Sequence, residues 1–311
     1  MAISPQQVVL GIDIGGTNMR FGLVDQAHEM YAFERVSSQE VFAGEGELTQ
    51  KLAQCIRSYC ARNLDGQLPR AVSIGFPSTI NRERTVLLQT PNISAIPDYF
   101  PVVESLEAVL QIPVFINRDV NNLLLFDLED LEVKTQNCVA GIYFGTGVGN
   151  AILVDGKILL GKNGVAAELG HLPVYGNKRI CTCGNESCLE TVVSGVALER
   201  LQQECFPQTH ISCLFETHPD APQMQAFIKG MAQAVAAEVN LLDPDCVILG
   251  GGLMQMAGFP KELLEKEVHY YARKPYPECV LDIRYSRPNQ ANGVAGAAIY
   301  AEKRLADKNY L

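Results

Sequence analysis

The stretch GIDIGGTNMRFGLVD, Gly11 to Asp25, has an echo about 130 residues later in GIYFGTGVGNAILVD, Gly141 to Asp155. Each reads as an apolar, β-branched run, a turn of Gly and Thr, and a second apolar run, the pattern of two strands joined by a tight turn. At that fixed offset Val9 matches Val139, Gly11 matches Gly141, Ile12 matches Ile142 and Gly15 matches Gly145. Leu23, Val24 and Asp25 likewise match Leu153, Val154 and Asp155. The period is far too long for a solenoid, so it marks two copies of a larger lobe. One difference stands out: Asp13 precedes the first turn, and no carboxylate precedes the second.

Working outward, residues 8 to 36 alternate short β-branched runs with Gly and Asp turns and read as a three-stranded meander. Leu48, Leu52, Cys55, Ile56 and Tyr59 recur at spacings of three and four, so a helix between Glu45 and Arg62 turns one stripe to a core. AVSIGFP (Ala71 to Pro77) and PVFIN (Pro113 to Asn117) read as buried strands, with a helix over Val102 to Leu110 between them. The second meander starts near Cys138 and is followed by a helix over Met224 to Leu242 and the strand CVILGGG, Cys246 to Gly252. This alternation predicts an α/β protein with mixed sheets. Asn292 to Leu305, rich in Ala and Gly at helical spacing, is expected to return to the first lobe. The division expected is residues 1–118 with a C-terminal helix over about 292–311 as the smaller lobe, and 119–291 as the larger, with a ligand cleft between the halves.

The chain has 311 residues, long enough to split into two cores. A hydrophobic fraction of 47% argues against disorder. The net charge of −10, with no run of Lys and Arg, argues against a nucleic-acid partner or an anionic membrane surface. The opening residues carry no basic n-region and no apolar run approaches the length of a membrane helix, so a cytoplasmic protein is expected. Thiols there stay reduced. Seven of the ten cysteines (Cys55, Cys60, Cys138, Cys205, Cys213, Cys246 and Cys279) sit in apolar surroundings and read as small buried hydrophobes.

The two turns carry the first chemistry. Gly15 and Gly16 have no Cβ, so backbone passes close to a ligand, its N–H groups can cradle phosphate oxygens, and Thr17 adds a hydroxyl. Gly145, Thr146, Gly147 and Gly149 repeat the device, while Asp13 alone brings a carboxylate for Mg²⁺. In NRDVNN, Asn117 to Asn122, a strand ends and a helix opens. Asp119 there reads either as a helix cap or as a general base toward a substrate hydroxyl. In AELGHLPV and CTCGNESCLE, His171, Cys181, Cys183 and Cys188 supply one imidazole and three thiolates, the inventory of a closed structural zinc site. Clamping that loop would hold the flanking Glu168 and Glu190, carboxylates suited to the vicinal hydroxyls of a polyol.

Taken together these motifs resemble the ROK family of bacterial sugar kinases and repressors, within the two-lobed actin-like, hexokinase-like ATPase fold of duplicated ribonuclease-H-like domains. The resemblance runs through DxGGT (Asp13 to Thr17), GxP (Gly75 to Pro77), Pro91–Asn92, DVN, GTGVG, ExGH (Glu168 to His171), the CxCG…CLE loop, LGGG (Leu249 to Gly252) and the closing GVAGAA. It implies Asp119 as the catalytic base and Asn92, Arg118, Glu168, His171 and Glu190 as sugar contacts. It also implies Asn18 beside the first turn and Gly251 and Gly252 in the ATP site, with ATP, Mg²⁺ and structural Zn²⁺ as partners, and a homodimer.

Three departures matter: Arg118 stands where Asn usually precedes the base, with Asn117 displaced by one; Ser78 follows GxP; and Ser187 precedes the last zinc Cys. GFP, RDVN and LLDPDCVILGGGLM look most like the D-allose kinase branch, which implies phosphorylation of D-allose at its 6-hydroxyl. A glucokinase, fructokinase or N-acylhexosamine kinase is the alternative. A non-catalytic sugar sensor is disfavoured by the presence of Asp119. A repressor is disfavoured by the short, non-basic stretch before Asp13, which leaves no room for a helix-turn-helix.

Overall fold

The computed structural model describes residues 4–91, 93–134 and 137–310. It divides into two compact units: residues 1–132, 160–166 and 289–311 form the first, and 133–159 and 167–288 the second.

The strands of the first unit are β1 (Val8–Ile14), β2 (Asn18–Asp25), β3 (Met30–Ser37), β4 (Ala71–Phe76), β5 (Thr79–Ile80), β6 (Leu87–Gln89) and β7 (Val114–Arg118). Five of them form a sheet in the order β3-β2-β1-β4-β7, with the meander antiparallel and β1, β4 and β7 parallel. Period-two alternation in β1 sends Leu10, Ile12 and Ile14 to one face. There they meet Leu52, Ile56 and Tyr59 of the helix Leu48–Asn63, and Leu106 and Leu110 of the helix Val102–Leu110. Each such fully buried aliphatic side chain contributes about 1.5–3 kcal/mol of burial free energy. Val9 and Val24 face the other way, against Ala298 and Ala301 of the C-terminal helix Asn292–Ala306. That helix lies close to the sheet, because a Cβ on Gly11 would overlap the Val294 carbonyl. It lies equally close to the helix Asp119–Asp130, where a Cβ on Gly296 would overlap the Asn122 carbonyl.

The strands of the second unit are β8 (Cys138–Phe144), β9 (Val148–Val154), β10 (Lys157–Ile158), β11 (Cys246–Gly250) and β12 (Ile283–Tyr285). Their order, β10-β9-β8-β11-β12, repeats the first sheet strand for strand and sense for sense. Ala140, Ile142 and Phe144 pack on Phe227, Met231, Val235 and Val239 of the helix Pro222–Leu242 and on Leu264 and Val268 of the helix Lys261–Tyr271.

Three expectations need amendment. The first unit extends to residue 132 rather than stopping at 118, because the helix Asp119–Asp130 packs on the C-terminal helix. The fixed offset holds along β1 and β8 but slips by one in the turn: Ile14 pairs with Met19, whereas Phe144 pairs with Val148. Val24 therefore corresponds to Leu153, not Val154, which is consistent with Val24 being buried and Val154 exposed. Among the seven scattered cysteines only Cys60 and Cys246 are fully buried, and Cys205 and Cys279 are exposed. No helix among the described residues is long and apolar enough to cross a membrane.

Candidate active site

In open sheets of this kind, ligands bind beyond the carboxyl ends of the parallel strands. In the first unit those ends carry Asp13 on β1, Gly75 on β4, Asn117 and Arg118 at the end of β7, and Asp119 just after it. Register places Asp13 beside Gly75 and Gly75 beside Asn117. Gly75 is what lets its neighbours converge. A Cβ there would stand 2.9 Å from Asn122 Nδ2, 3.5 Å from Asp119 Cα and 3.7 Å from Asp13 Oδ1.

Asp13 Oδ2 accepts from Arg20 Nη1 at 3.1 Å, and its side chain is only 18% exposed. Burial pushes the Asp13 carboxyl above the ordinary carboxylate value, with the Arg20 guanidinium working against it. Gly293, in the first turn of the C-terminal helix, packs on this carboxylate: a Cβ there would lie 2.7 Å from Asp13 Cγ. The second unit has no equivalent of this pair, since Tyr143 and Gly149 hold the corresponding register positions. A half-buried carboxylate at the end of a central strand is a hard oxygen donor that suits Mg²⁺ held through water.

The first turn is closed by Gly15 N–H donating to Asn18 O at 2.9 Å. It is braced by Ser38, whose hydroxyl donates to Gly15 O (2.6 Å) and whose N–H donates to Thr17 O (3.0 Å). The second turn closes in the same way, Gly145 N–H to Gly147 O at 3.0 Å, and is braced by Gly195 N–H donating to Gly145 O at 2.7 Å. The Gly15 and Gly145 amides are thus spent within their turns, leaving donors for an anion to come from the residues that follow them. Ser38 and Gly195 were not singled out in the sequence. Ser194–Gly195 ahead of a helical pattern was the available signal for the latter, because Ser194 caps that helix by accepting from Ala197 N–H at 3.2 Å. Gly251 has φ +94°, and a Cβ there would overlap the Phe144 backbone, so β11 turns off sharply into Gly252.

Asp119 is the first residue of the helix Asp119–Asp130 and not its cap. Arg118 holds the cap position but its side chain makes no capping hydrogen bond to the helix, and Asp119 Oδ1 accepts from Val120 N–H at 2.8 Å. Arg118 is 8% exposed, and its Nη1 donates to Ala166 O at 2.8 Å. Asn92 lies outside the described residues.

In the second unit Glu168, His171 and Glu190 come together: His171 Nε2 is 3.7 Å from Glu168 Oε2, and Nδ1 is 4.0 Å from Glu190 Oε1. The His171, Cys181, Cys183 and Cys188 ligand atoms all lie within 4.8 Å of one another. Cys181 Sγ is 3.7 Å from His171 Nδ1, and Cys183 Sγ is 3.6 Å from Cys188 Sγ. A tetrahedron with Zn–S near 2.3 Å and Zn–N near 2.0–2.1 Å has edges of about 3.5–3.8 Å, which the Cys181–His171 and Cys183–Cys188 separations match. Burial, with the Glu190 carboxylate adding to it, pushes the Cys181 thiol up to about 12. Glu190 touches both features of this unit: Oε1 accepts from Cys181 Sγ at 2.9 Å, and Oε2 lies 2.7 Å from where a Gly147 Cβ would stand.

The ROK family model matches residues 9–304. The chain belongs to the ROK family. It is 26% identical to a glucokinase of Thermotoga maritima over an alignment of 324 residues, covering 97% of this chain and 99% of the relative. It is 31% identical to an N-acetyl-D-glucosamine kinase of Aliivibrio salmonicida, covering 93% and 97%. Among solved structures, a ROK hexokinase of Thermus thermophilus superposes with a TM-score of 0.77 at 26% identity, covering 96% of this chain and 99% of that one. A ROK glucokinase of Streptomyces griseus in complex with glucose and AMPPNP superposes with a TM-score of 0.77 at 23% identity, covering 94% and 98%.

Proposed function

We propose that this ROK protein is an ATP-dependent sugar kinase that transfers the γ-phosphoryl group of ATP to the primary hydroxyl of a hexose, giving a sugar 6-phosphate and ADP. The observation that carries the reading is the convergence on Gly75 of the Asp13 carboxylate and of the backbone of Asp119, the residue that opens the helix after β7. Asp119 takes the proton of the sugar hydroxyl as the phosphoryl group arrives, a task worth about 10²–10⁴-fold in rate. Asp13 is assigned to Mg²⁺, which when bound neutralises charge on the phosphates. Residues 16–18, 146, 147 and 149, with Gly251 and Gly252, are assigned to the nucleotide. Glu168, His171 and Glu190, with Asn92 and Arg118, are assigned to the sugar hydroxyls. Zn²⁺ on His171, Cys181, Cys183 and Cys188 serves as a clamp for Glu168 and Glu190. The site of action assigned is the cytoplasm, and the assembly a homodimer.

Within the hexoses, D-allose is the acceptor proposed. Support comes from RDVN and the GFP and LLDPDCVILGGGLM segments, and from Arg118, a guanidinium fixed on Ala166 O beside the base. A rigid donor favours one orientation of a hydroxyl over its epimer, and allose differs from glucose only at C3. The named activities of the relatives favour glucose or an N-acetylated hexosamine as the second reading.

An ADP-release assay over aldohexoses, ketohexoses and N-acylated hexosamines decides between them. Turnover on allose above all others is expected, and preference for glucose or an N-acetylhexosamine removes the allose assignment. Asp119→Asn is expected to bind sugar, as read by calorimetry, while turnover falls by about a hundredfold or more. Near-normal turnover would take Asp119 out of the mechanism.

A further inference from the structure

Three buried asparagines surround the start of the helix that carries Asp119, and none has been given a task above. Asn117 is 1%, Asn121 2% and Asn122 0% exposed. Asn117 is the hub. Its Oδ1 accepts from Arg118 N–H at 3.0 Å and from Asn121 Nδ2 at 2.9 Å, and its Nδ2 donates to Asn122 Oδ1 at 3.1 Å. The helix they enclose lacks an ordinary side-chain cap, since Arg118 at the cap position supplies none. Asn122 Nδ2 makes no hydrogen bond and points at Gly75, the point on which Asp13 and Asp119 also converge.

We infer that Asn117, Asn121 and Asn122 form a positioning network that sets the first helical turn and, through it, the carboxylate of Asp119. The inference rests on Asp119 being the base. Three amides buried in a strand-to-helix corner would be a poor choice for stability alone, because apolar side chains of the same volume carry no desolvation cost. Their connections are directional instead. Asn117 ties the end of β7 to two residues one turn into the helix, so the arc Arg118–Asp119–Val120 is pinned at both ends. Asp119 is then held where its Oδ1 takes the Val120 N–H, a bond that also favours its anion at the positive end of the helix. Asn122 additionally fills the space beside Gly75, so the network sets the gap between Asp119 and Asp13. A displacement of about 1 Å at such a group costs about a hundredfold in rate.

The test is a set of variants assayed with Mg-ATP and the preferred hexose of the panel: Asn117→Ala, Asn122→Ala, the double variant, and Asp119→Asn as reference. Asn117→Ala, which removes three hydrogen bonds, is expected to lower kcat about 10- to 100-fold, and Asn122→Ala, which removes one, about 3- to 10-fold, with both KM values within about threefold. The double variant should be no slower than Asn117→Ala, because the bond between the two is already lost. The acid limb of kcat/KM should move to higher pH in both single variants, since a loosened turn weakens the Val120 bond that favours the Asp119 anion. Asp13, whose carboxylate also borders Gly75, its partner Arg20, and Arg118, the residue before Asp119, are unchanged in these variants.

Lower melting temperatures with wild-type kcat and an unmoved acid limb would overturn the inference while leaving Asp119 as base, provided Asp119→Asn is inactive. An active Asp119→Asn would overturn the base and this inference with it. If Asn117→Ala does not fold, Asn122→Ala decides, because it deletes a single bond.

Discussion

Asp13 shows how a residue suited to function is held at a cost to folding. Its carboxyl is buried among Arg20, Gly75 and Gly293, and burial outweighs the guanidinium, so the folded value lies above 3.8. The folded chain therefore holds this proton more tightly than the unfolded chain. Below the unfolded value both states are protonated and there is no penalty. As pH rises through the interval above 3.8 the unfolded state loses its proton first, and stability attributable to Asp13 falls until the folded carboxyl has also ionised. The melting temperature of the wild type minus that of Asp13→Asn is thus expected to decrease as pH is raised from below 4, and to level off once Asp13 is ionised in both states. A difference that stays flat across the titration would mean that Asp13 titrates alike folded and unfolded. Asp13 was legible in the sequence because it broke the match between the two hairpins. Arg20 and Gly293 were not, because nothing in their own segments says that β2 and a helix nearly 280 residues away close on the same carboxylate.

The Cys/His loop and the hairpins show which features of an element survive in sequence. Ligand inventory and close spacing pointed to His171, Cys181, Cys183 and Cys188 without any fold, and their ligand atoms gather within 4.8 Å. The hairpins were visible as repeats, but their register was not. A fixed offset tracks residues along a strand, whereas pairing across it depends on turn length, and one residue fewer in the second turn shifts the partner strand by one. Asn117 showed in the sequence only as an Asn displaced by one from the position before Asp119, and its amide is spent on the helix start, a use that only the corner geometry reveals. For the loop itself, one zinc per chain by elemental analysis is expected, with Cys181→Ser losing it and melting at lower temperature. Because burial holds the Cys181 thiol at about 12 without a cation, rebinding of zinc should release protons that an indicator dye records in weak buffer. Unchanged metal content and melting temperature in Cys181→Ser would remove the loop from the metal site.

At the scale of the whole chain, the two units repeat one sheet but are assembled differently. The first gathers residues 1–132, 160–166 and 289–311, while the second takes nothing from the C-terminal segment. The C-terminal helix covers Val9, Val24 and the Gly11 surface of β1, and it seats the helix that carries Asp119 through Gly296. Removing residues 289–311 therefore strips one whole face from the first sheet and leaves the core of the second unit intact. Partial unfolding confined to one unit is the expected result. Amide exchange should become fast in β1, β2 and β4 while β8, β9 and β11 keep their protection, and limited proteolysis should cut first within residues 1–132. Equal protection of both sheets in the truncated chain would show that the helix contributes little to the first unit. Loss of protection in both would show that the two units fold as one cooperative body despite their separate cores.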